Sequence, residues 1–187
     1  MNRNTFKGTK FTAMTSKNNN ITTLHDLFDY EASKFTSAEI QLQHMLPHWI
    51  SKARSVKLKN VLQKYKEYIE QHLEKLETII KEEQISSLAV TNYVMRTYIE
   101  EGNEKIAKCM DAEVADACLL AIVQSINHFK ISTYGTAAAF ARELEMDQQA
   151  TVFYGAEINE KQIDDRLSQL AHYEINIRAK APVVLPA

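Results

Sequence analysis

Two acidic side chains lie on the apolar stripe of the first predicted helix. Apolar residues recur there at helical spacing, at Phe28, Phe35, Leu42, Leu46 and Trp49. Glu31 and Glu39 fall on the same stripe, because each helical residue turns the chain by about 100° and Glu39 lies about 40° from Phe35. A carboxylate that faces the inside of a bundle costs free energy unless a cation, a donor or a metal offsets it. The partners of Glu39 therefore decide what chemistry the interior can do.

Residues from three further predicted helices reach the level of Glu39. Counting from predicted turns near residues 54 and 146–147 places each group about fifteen residues from its turn, close to the middle of the bundle. The predicted inward polar cluster contains Glu39, Tyr65, Tyr68, His72, Asn127, Lys130, Glu160 and Asp164. Glu31 is eight residues from Glu39, a rise of about 12 Å, so it is predicted to be separate.

The histidines do not show the usual di-iron pattern. Bundle-core di-iron sites take one Glu from each of two helices and a Glu-x-x-His pair from each of the others. None of the six histidines has a Glu three positions before it. The periodicity points His44, His48 and His128 outward and His72 inward. The sequence therefore favours no metal cofactor. If a site is retained, Glu39, Glu160, Asp164 and His72 would hold iron or manganese, which suit carboxylate and imidazole ligands.

Lys130 is expected on the inner stripe of the third long helix. Its ammonium group can pair with Glu39 or Glu160, a role that a metal cation would otherwise fill. One lysine cannot neutralise Glu39, Glu160 and Asp164 together, so the remaining charge must be hydrated, protonated or bound to a cation. An ion-pair cluster, a retained metal site and a small-ligand pocket all stay open, and no residue is assigned a catalytic role.

The pattern of elements predicts an all-α, ferritin-like four-helix bundle with a long crossover that contains a short extra helix. The long helices are expected at about 24–52, 57–83, 111–145 and 148–173. The crossover helix is expected at about 89–106, interrupted at Gly102 and Asn103 and outside the core. Residues 1–21 are predicted to be a disordered arm, 22–176 the bundle and 177–187 a tail.

Composition and net charge restrict the kinds of binding partner and the cellular location that we expect. The net charge of -2 and pI near 6.3 give no reason to expect nucleic acid. Cys109 and Cys118 lack metal-type spacing and cannot form a disulfide framework, which favours a reduced, cytoplasmic location. No apolar run approaches the length of a membrane span and no secretory signal is visible, so no membrane association is expected.

Three blocks of sequence resemble the YciE/YciF-type ferritin-like stress proteins. They are LF-x-x-E, SAE-x-QL and LP within 27–47, DACLLAIVQSINHFKISTYGT at 116–136, and EK-x-x-D-x-x-L at 160–167. The resemblance covers roughly 24–176. It implies a small bacterial stress-associated bundle, usually a homodimer, with a di-metal centre inferred from the fold and with acidic positions at Glu31, Glu39, Glu160 and Asp164.

The chain departs from the family pattern in the rest of the site. Where the family's second helix commonly reads H-L-E-E, this chain has Tyr65, Lys66, Glu67 and Tyr68, and E-H-Y-E of the third helix is replaced by Asn127, His128, Phe129 and Lys130. The resemblance thus implies a retained scaffold with fewer ligands.

Three functions follow as hypotheses. The preferred one is a stress-associated cytoplasmic protein with a degenerate metal site and a structural or interaction role. The alternative is a non-haem di-metal protein that reacts with oxygen or peroxide, ferroxidase- or oxidoreductase-like, with Tyr65 and Tyr68 nearby. A third is an adaptor that binds an unknown protein partner through the crossover face at 93–98, including Met95.

Overall fold

The described part of the chain consists of helices joined by short turns. The computed structural model describes residues 20–85 and 90–180, and within these ranges it contains no β-strand. The helices are α1 (Leu24–Lys52), α2 (Val56–Glu82), α3 (Tyr93–Lys108), α4 (Ala112–Glu143), α5 (Asp147–Leu170) and α6 (Asn176–Ala179), with one π-helical turn at Ala171–Ile175. The predicted all-α class is confirmed.

Polar side chains cap the first turns of α1 and α2. Thr23 caps α1 in a capping box with Asp26, and Ser55 accepts the Leu58 N–H at the start of α2. The turn between these helices is held from α4, because the buried Asp116 carboxylate accepts the Arg54 N–H at 2.8 Å and the Ser55 N–H at 2.7 Å. These contacts fix the antiparallel α1–α2 hairpin against α4.

The four long helices form a closed ring of neighbours. α1 packs against α2 and α4, and α5 also packs against α2 and α4, while α3 lies on α1 and α4. The long connection from α2 to α4 contains α3, as expected for the crossover. The predicted four-helix bundle with a crossover helix is therefore the observed architecture.

The crossover helix differs from its prediction in two ways. α3 runs through Gly102 and Asn103 without interruption, and Met95 and Ile99 are buried in the main core cluster. Gly102 is instead the close approach of α3 to α4, since a Cβ placed there would lie 2.9 Å from the Ile122 Cγ2 atom. The helix continues through Gly102, and the absence of a side chain there lets α3 pack closely against α4.

Two large apolar clusters fill the described bundle, one toward each end, and a third, small cluster consists of Ala32, Ile80 and Ile85. One contains Leu42, Leu62, Ile126 and Ile163 among others, and the second contains Phe28, Phe35, Leu76 and Phe153 among others. On every long helix a buried charged or polar residue lies near the point where the helix passes from one large cluster to the other: Glu39, His72, Lys130 and Glu160. The sequence order therefore builds one polar layer between two apolar halves.

The predicted chain ends lie largely beyond the described residues. The arm at 1–21 falls outside them except for residues 20 and 21, and the predicted tail at 177–187 is described only to residue 180. The predicted boundary between bundle and tail at 177 falls within α6, which runs through Ala179.

One described helix, α4, is long and apolar enough to cross a membrane by length and composition alone, and 44% of its most apolar window is buried inside the bundle. The helix carries the buried Asn127 and Lys130 and packs against α1, α3 and α5. That combination is typical of the core helix of a bundle.

Candidate functional site

Each long helix contributes one charged or titratable side chain to the centre of the bundle. Glu39 from α1, His72 from α2, Lys130 from α4 and Glu160 from α5 are 1%, 1%, 3% and 0% exposed. Each occupies a position on the inner stripe of its helix that is otherwise apolar. Packing of the neighbouring apolar turns therefore brings the four groups together. Charges this deeply buried are tolerated only when each meets partners of opposite sign or hydrogen-bond donors.

Lys130 lies between the two carboxylates. Its Nζ atom is 2.9 Å from Glu39 Oε2 and 2.6 Å from Glu160 Oε1. The same ammonium lies over the Tyr65 ring, 4.7 Å from the centroid, where the ring face favours a cation. Lys130 of α4 thus contacts one acid of α1 and one acid of α5.

The remaining carboxylate oxygens receive hydrogen bonds from neighbouring helices. On Glu39, Oε1 accepts the Tyr134 hydroxyl and lies 3.3 Å from His72 Nδ1. On Glu160, Oε2 accepts the Tyr65 hydroxyl at 2.8 Å and the Asn127 amide at 2.7 Å. Both acids are therefore held by two donors in addition to the ammonium.

The two acids have opposite pKa shifts. Burial would raise the pKa of Glu39, but the charge of Lys130, the His72 side chain and the Tyr134 hydroxyl together lower it to about 2. The pKa of Glu160 is raised, and burial is the largest cause. Lys130 lowers this pKa, but the negative charge of Glu39 raises it again. Glu39 is therefore the ionised partner of Lys130, and Glu160 is the acid that holds a proton more readily.

Lys130 and the two phenols keep their protons. Burial would lower the pKa of Lys130, but Glu160 and Glu39 raise it above its usual value. Burial, reinforced by the same two acids, raises the pKa of Tyr65 and of Tyr134 well above its usual value. At neutral pH the two phenols therefore donate to the carboxylates, and Lys130 faces them as an ammonium.

A di-metal centre does not fit this arrangement. Among the described residues, one group of metal-type donors lies close enough to hold an ion, Glu39, His72 and Glu160, with one ligand atom of each within 4.8 Å of the others. Two ions of the di-iron type take about six side-chain donors. Lys130 also contacts both carboxylates, so a cation at this point would have to displace an ammonium that already fills its role.

Two residues predicted for the cluster lie outside it. Asp164 is half-buried and pairs with His128 Nε2 at 2.8 Å near the surface. Tyr68 lies at the rim, where its hydroxyl donates to Gln162 and its ring stacks on His72. The structure therefore does not bring these two into the charged cluster, because Asp164 pairs with His128 and the Tyr68 hydroxyl pairs with Gln162 instead.

The structure adds two residues that the sequence argument missed. Tyr134 contacts Glu39, and it could have been found because it lies on the inner stripe four residues after Lys130. Asn159 lies 3.3 Å from His72 Nε2 through its side-chain amide, and no periodic signal marked it. Glu31 lies apart from the cluster, half-buried, and burial raises its pKa.

A surface groove lies beside the charged layer. It has a volume of about 420 Å³ between α1, the start of α3 and α4, and its lining includes Glu31, Phe35 and Phe129. A much smaller cavity of about 10 Å³ shares Phe35 and Phe129 with it and reaches Glu39 and Lys130. Only a narrow gap therefore separates the groove from the ion-paired interior.

The fold and the site define a four-helix bundle of the ferritin-like type with an ion-paired acidic layer at its centre. The chain belongs to the DUF892 family, a domain of unknown function, whose family model matches residues 23–180. It is 30% identical over 164 residues to protein YciF of Escherichia coli strain K12, which covers 86% of this chain and 98% of that protein. The YciF-type relationship predicted from the three sequence blocks is confirmed.

Solved structures show the same architecture. The Escherichia coli stress protein YciF is 29% identical, with a TM-score of 0.76 over 83% of this chain and 99% of that one. YcfI from Rhodopseudomonas palustris is 26% identical, with a TM-score of 0.76 over 85% and 98%. A two-domain protein from Anabaena variabilis with a ferritin-like domain, 17% identical at a TM-score of 0.57, covers 96% of this chain and 48% of that one and supports the fold alone. The predicted ferritin-like fold is confirmed.

Proposed function

We propose that this protein is a stress-associated ferritin-like bundle whose ancestral metal position is taken by an internal ion pair, and whose role is structural or interaction-based. The observation that carries the proposal is the position of Lys130 Nζ, 2.9 Å from Glu39 and 2.6 Å from Glu160. An ammonium held by two buried acids supplies the positive charge that a metal would otherwise supply, without redox chemistry.

The charge balance of the layer supports this proposal. Glu39 and Lys130 cancel, and Glu160 is satisfied by Tyr65 and Asn127 together with its raised pKa. Each acid is thus met by the Lys130 ammonium and by neutral donors of the chain itself. A layer of this kind selects one register of the four helices, because any shift would leave a buried charge without its partner.

The stress association rests on similarity to a relative whose name includes it, the Escherichia coli stress protein YciF. The cytoplasmic location and the homodimer are proposed from the free cysteines and from the family resemblance. For an interaction role, the groove next to α3 offers the exposed Tyr93 and Val94. Met95 was wrongly assigned to that face, since it is fully buried in the core.

Metal content of the purified protein tests the proposal. We expect protein from cells supplied with iron and manganese to carry well under one ion per chain by elemental analysis. We also expect its unfolding midpoint not to rise when either ion is added, because a ligand that binds only the folded state would raise it. Stoichiometric metal that survives dialysis would reject the ion-pair proposal.

A second function is favoured by one observation, the convergence of Glu39, His72 and Glu160 within 4.8 Å. Two carboxylates and an imidazole suit a single iron or manganese ion, which could react with oxygen or peroxide. Lys130 would then have to leave both acids. Iron-dependent oxygen consumption that is lost in Glu39→Ala and in His72→Ala would support this function, whereas consumption that survives both substitutions would count against it.

A further inference from the structure

The surface groove between α1, the start of α3 and α4 has the size and the walls of a small-molecule site. Its volume is about 420 Å³, and ligand sites in proteins commonly measure about 300–1,000 Å³. Phe35 of α1, Val94 of α3 and both Phe129 and Phe140 of α4 line it. The groove can therefore cover the apolar body of a small ligand.

Two side chains of opposite charge line the groove, and the positive one already has its partners. The Lys34 Nζ atom donates to the Thr91 carbonyl at 2.8 Å. It also lies 5.4 Å from the ring centroids of both Tyr30 and Tyr93, where aromatic faces attract a cation. The Lys34 ammonium thus joins α1 to the segment that leads into α3.

Glu31 is the negative group of the lining. Its side chain is half-buried, and no hydrogen bond or ion pair holds its carboxylate within residues 20–85 and 90–180. Burial raises the pKa of Glu31, and the charge of Lys34, one turn further along α1, opposes this only in part. A carboxylate that has lost water without gaining a donor is destabilised, and a bound cation would relieve this.

We propose that the surface groove binds a small organic cation, whose protonated amine pairs with Glu31 and whose apolar or aromatic body lies along Phe35 and Phe129. The positive charge of the ligand complements the one charged group of the lining that lacks a partner. The inference goes beyond a structural role for the bundle, and it holds whether or not the charged layer binds metal.

The lining disfavours the other classes of small ligand. An organic acid would meet the negative charge of Glu31 and would have to draw Lys34 away from the Thr91 carbonyl. A neutral apolar molecule would leave the Glu31 carboxylate without a donor and still further from water. An inorganic cation would leave the aromatic walls uncovered. An amine attached to an apolar body satisfies both parts of the groove.

The test titrates the full chain with three probes that share one ring system and differ in charge. Naphthylmethylamine is protonated at about pH 7, naphthylmethanol is neutral, and naphthoate is negative. Calorimetry measures their affinities. We expect one amine per chain, bound about tenfold more tightly than the alcohol, because hydrogen bonds to charged groups are stronger than neutral ones. Naphthoate should bind more weakly than the alcohol.

Three variants locate the binding. Glu31→Gln keeps the size of the side chain and should lower the affinity for the amine about tenfold, to that of the alcohol, which should not change. Glu77→Gln makes the same change of net charge at an exposed position of α2 and should leave both affinities unchanged. Ser132→Trp fills the groove from an exposed position of α4 and should abolish binding of both probes, with the helical circular dichroism retained.

Several outcomes would overturn the proposal. They are equal affinity for the amine and the alcohol, amine binding that survives Glu31→Gln or Ser132→Trp, and tighter binding of naphthoate that is lost in Lys34→Met. Absence of saturable binding would overturn it too, including absence because a second copy of the chain covers the groove, which sedimentation would show as a dimer that Ser132→Trp dissociates. None of these measurements reads metal content, so such a failure would leave the ion-pair proposal for the charged layer untouched.

Discussion

Replacing Lys130 with methionine is expected to lower the free energy of unfolding by about 3–5 kcal/mol at pH 7, because removal of one partner leaves buried charge uncompensated. Methionine keeps the length of the side chain and fills its space, so little of the loss comes from a cavity. Denaturant unfolding followed by circular dichroism measures the change. A loss of this size would show that the Lys130 ammonium compensates buried negative charge and does not merely fill space.

The pH dependence of this variant has a definite sign. In the wild type the pKa of Glu39 is about 2 against its usual 4.5, so its stabilisation is present above pH 4.5 and is lost as the pH falls toward 2. Without Lys130, burial, which raises the pKa of both acids, loses its largest opponent, and the pKa of Glu160 is already raised in the wild type. Stability of Lys130→Met therefore falls as the pH rises, and the deficit is smaller at pH 5 than at pH 7.

Two variants make the result specific. Lys161→Met makes the same change at an exposed lysine of α5 that pairs with Glu157, and it should leave the unfolding transition nearly unchanged. The double variant Glu39→Gln/Lys130→Met should recover part of the loss, because the charge left unpaired has been removed as well. A deficit that is the same at pH 5 and pH 7, or simply additive in the double variant, would contradict the ion-pair account.

Replacing Lys130 with glutamate is expected to create a metal site from the same layer. The substitution removes the ammonium and adds a carboxylate to Glu39, His72 and Glu160, which gives three acids and one imidazole. We expect about one manganese or iron ion per chain, because oxygen and imidazole ligands suit these ions. Metal present at 100 times its dissociation constant would stabilise the fold by about 2.7 kcal/mol, measured as a raised unfolding midpoint.

Lys130→Gln separates the two effects of that substitution. It removes the ammonium without adding a carboxylate, so its metal content should stay well below that of Lys130→Glu. Without metal, Lys130→Glu should be less stable than the wild type at pH 7, since like charges are brought together. Unchanged metal content in Lys130→Glu with the fold intact would argue that Lys130 does not stand in for a cation.

Much of the fold could be predicted because the signals were local. The inner stripe at Phe28, Phe35, Leu42 and Trp49 predicts a long amphipathic helix, and its start follows from the capping box at Thr23. The helix α3 was predicted less well. Gly102 looked like a break, but its role depends on the distance to Ile122 on another helix, which no local pattern contains.

The charged layer was predictable to the precision of a helical turn. The stripe positions of Glu39, His72, Lys130 and Glu160 and their equal distances from the turns indicated a common level, and the structure brings these four together. Asp164 lies only one turn from Glu160, but its place at the edge of the stripe lets it pair with His128 instead. The final assignment depended on side-chain direction between helices, which counting along the chain does not give.

Tyr134 is a second case in which the sequence gives the position of a residue but not the partner of its side chain. It lies on the predicted inner stripe, yet an inward tyrosine is most often a core aromatic with a polar tip, and nothing in the sequence shows which group its hydroxyl meets. In the structure the hydroxyl donates to Glu39. The contact joins residues 95 positions apart, so only the packed bundle reveals it.

Anomalous scattering from crystals of protein prepared from cells supplied with iron and manganese tests the central claim most directly. The account predicts no anomalous peak in the layer and electron density for the Lys130 side chain between Glu39 and Glu160. A peak bonded to Glu39, His72 and Glu160, with Lys130 turned away from both acids, would contradict it.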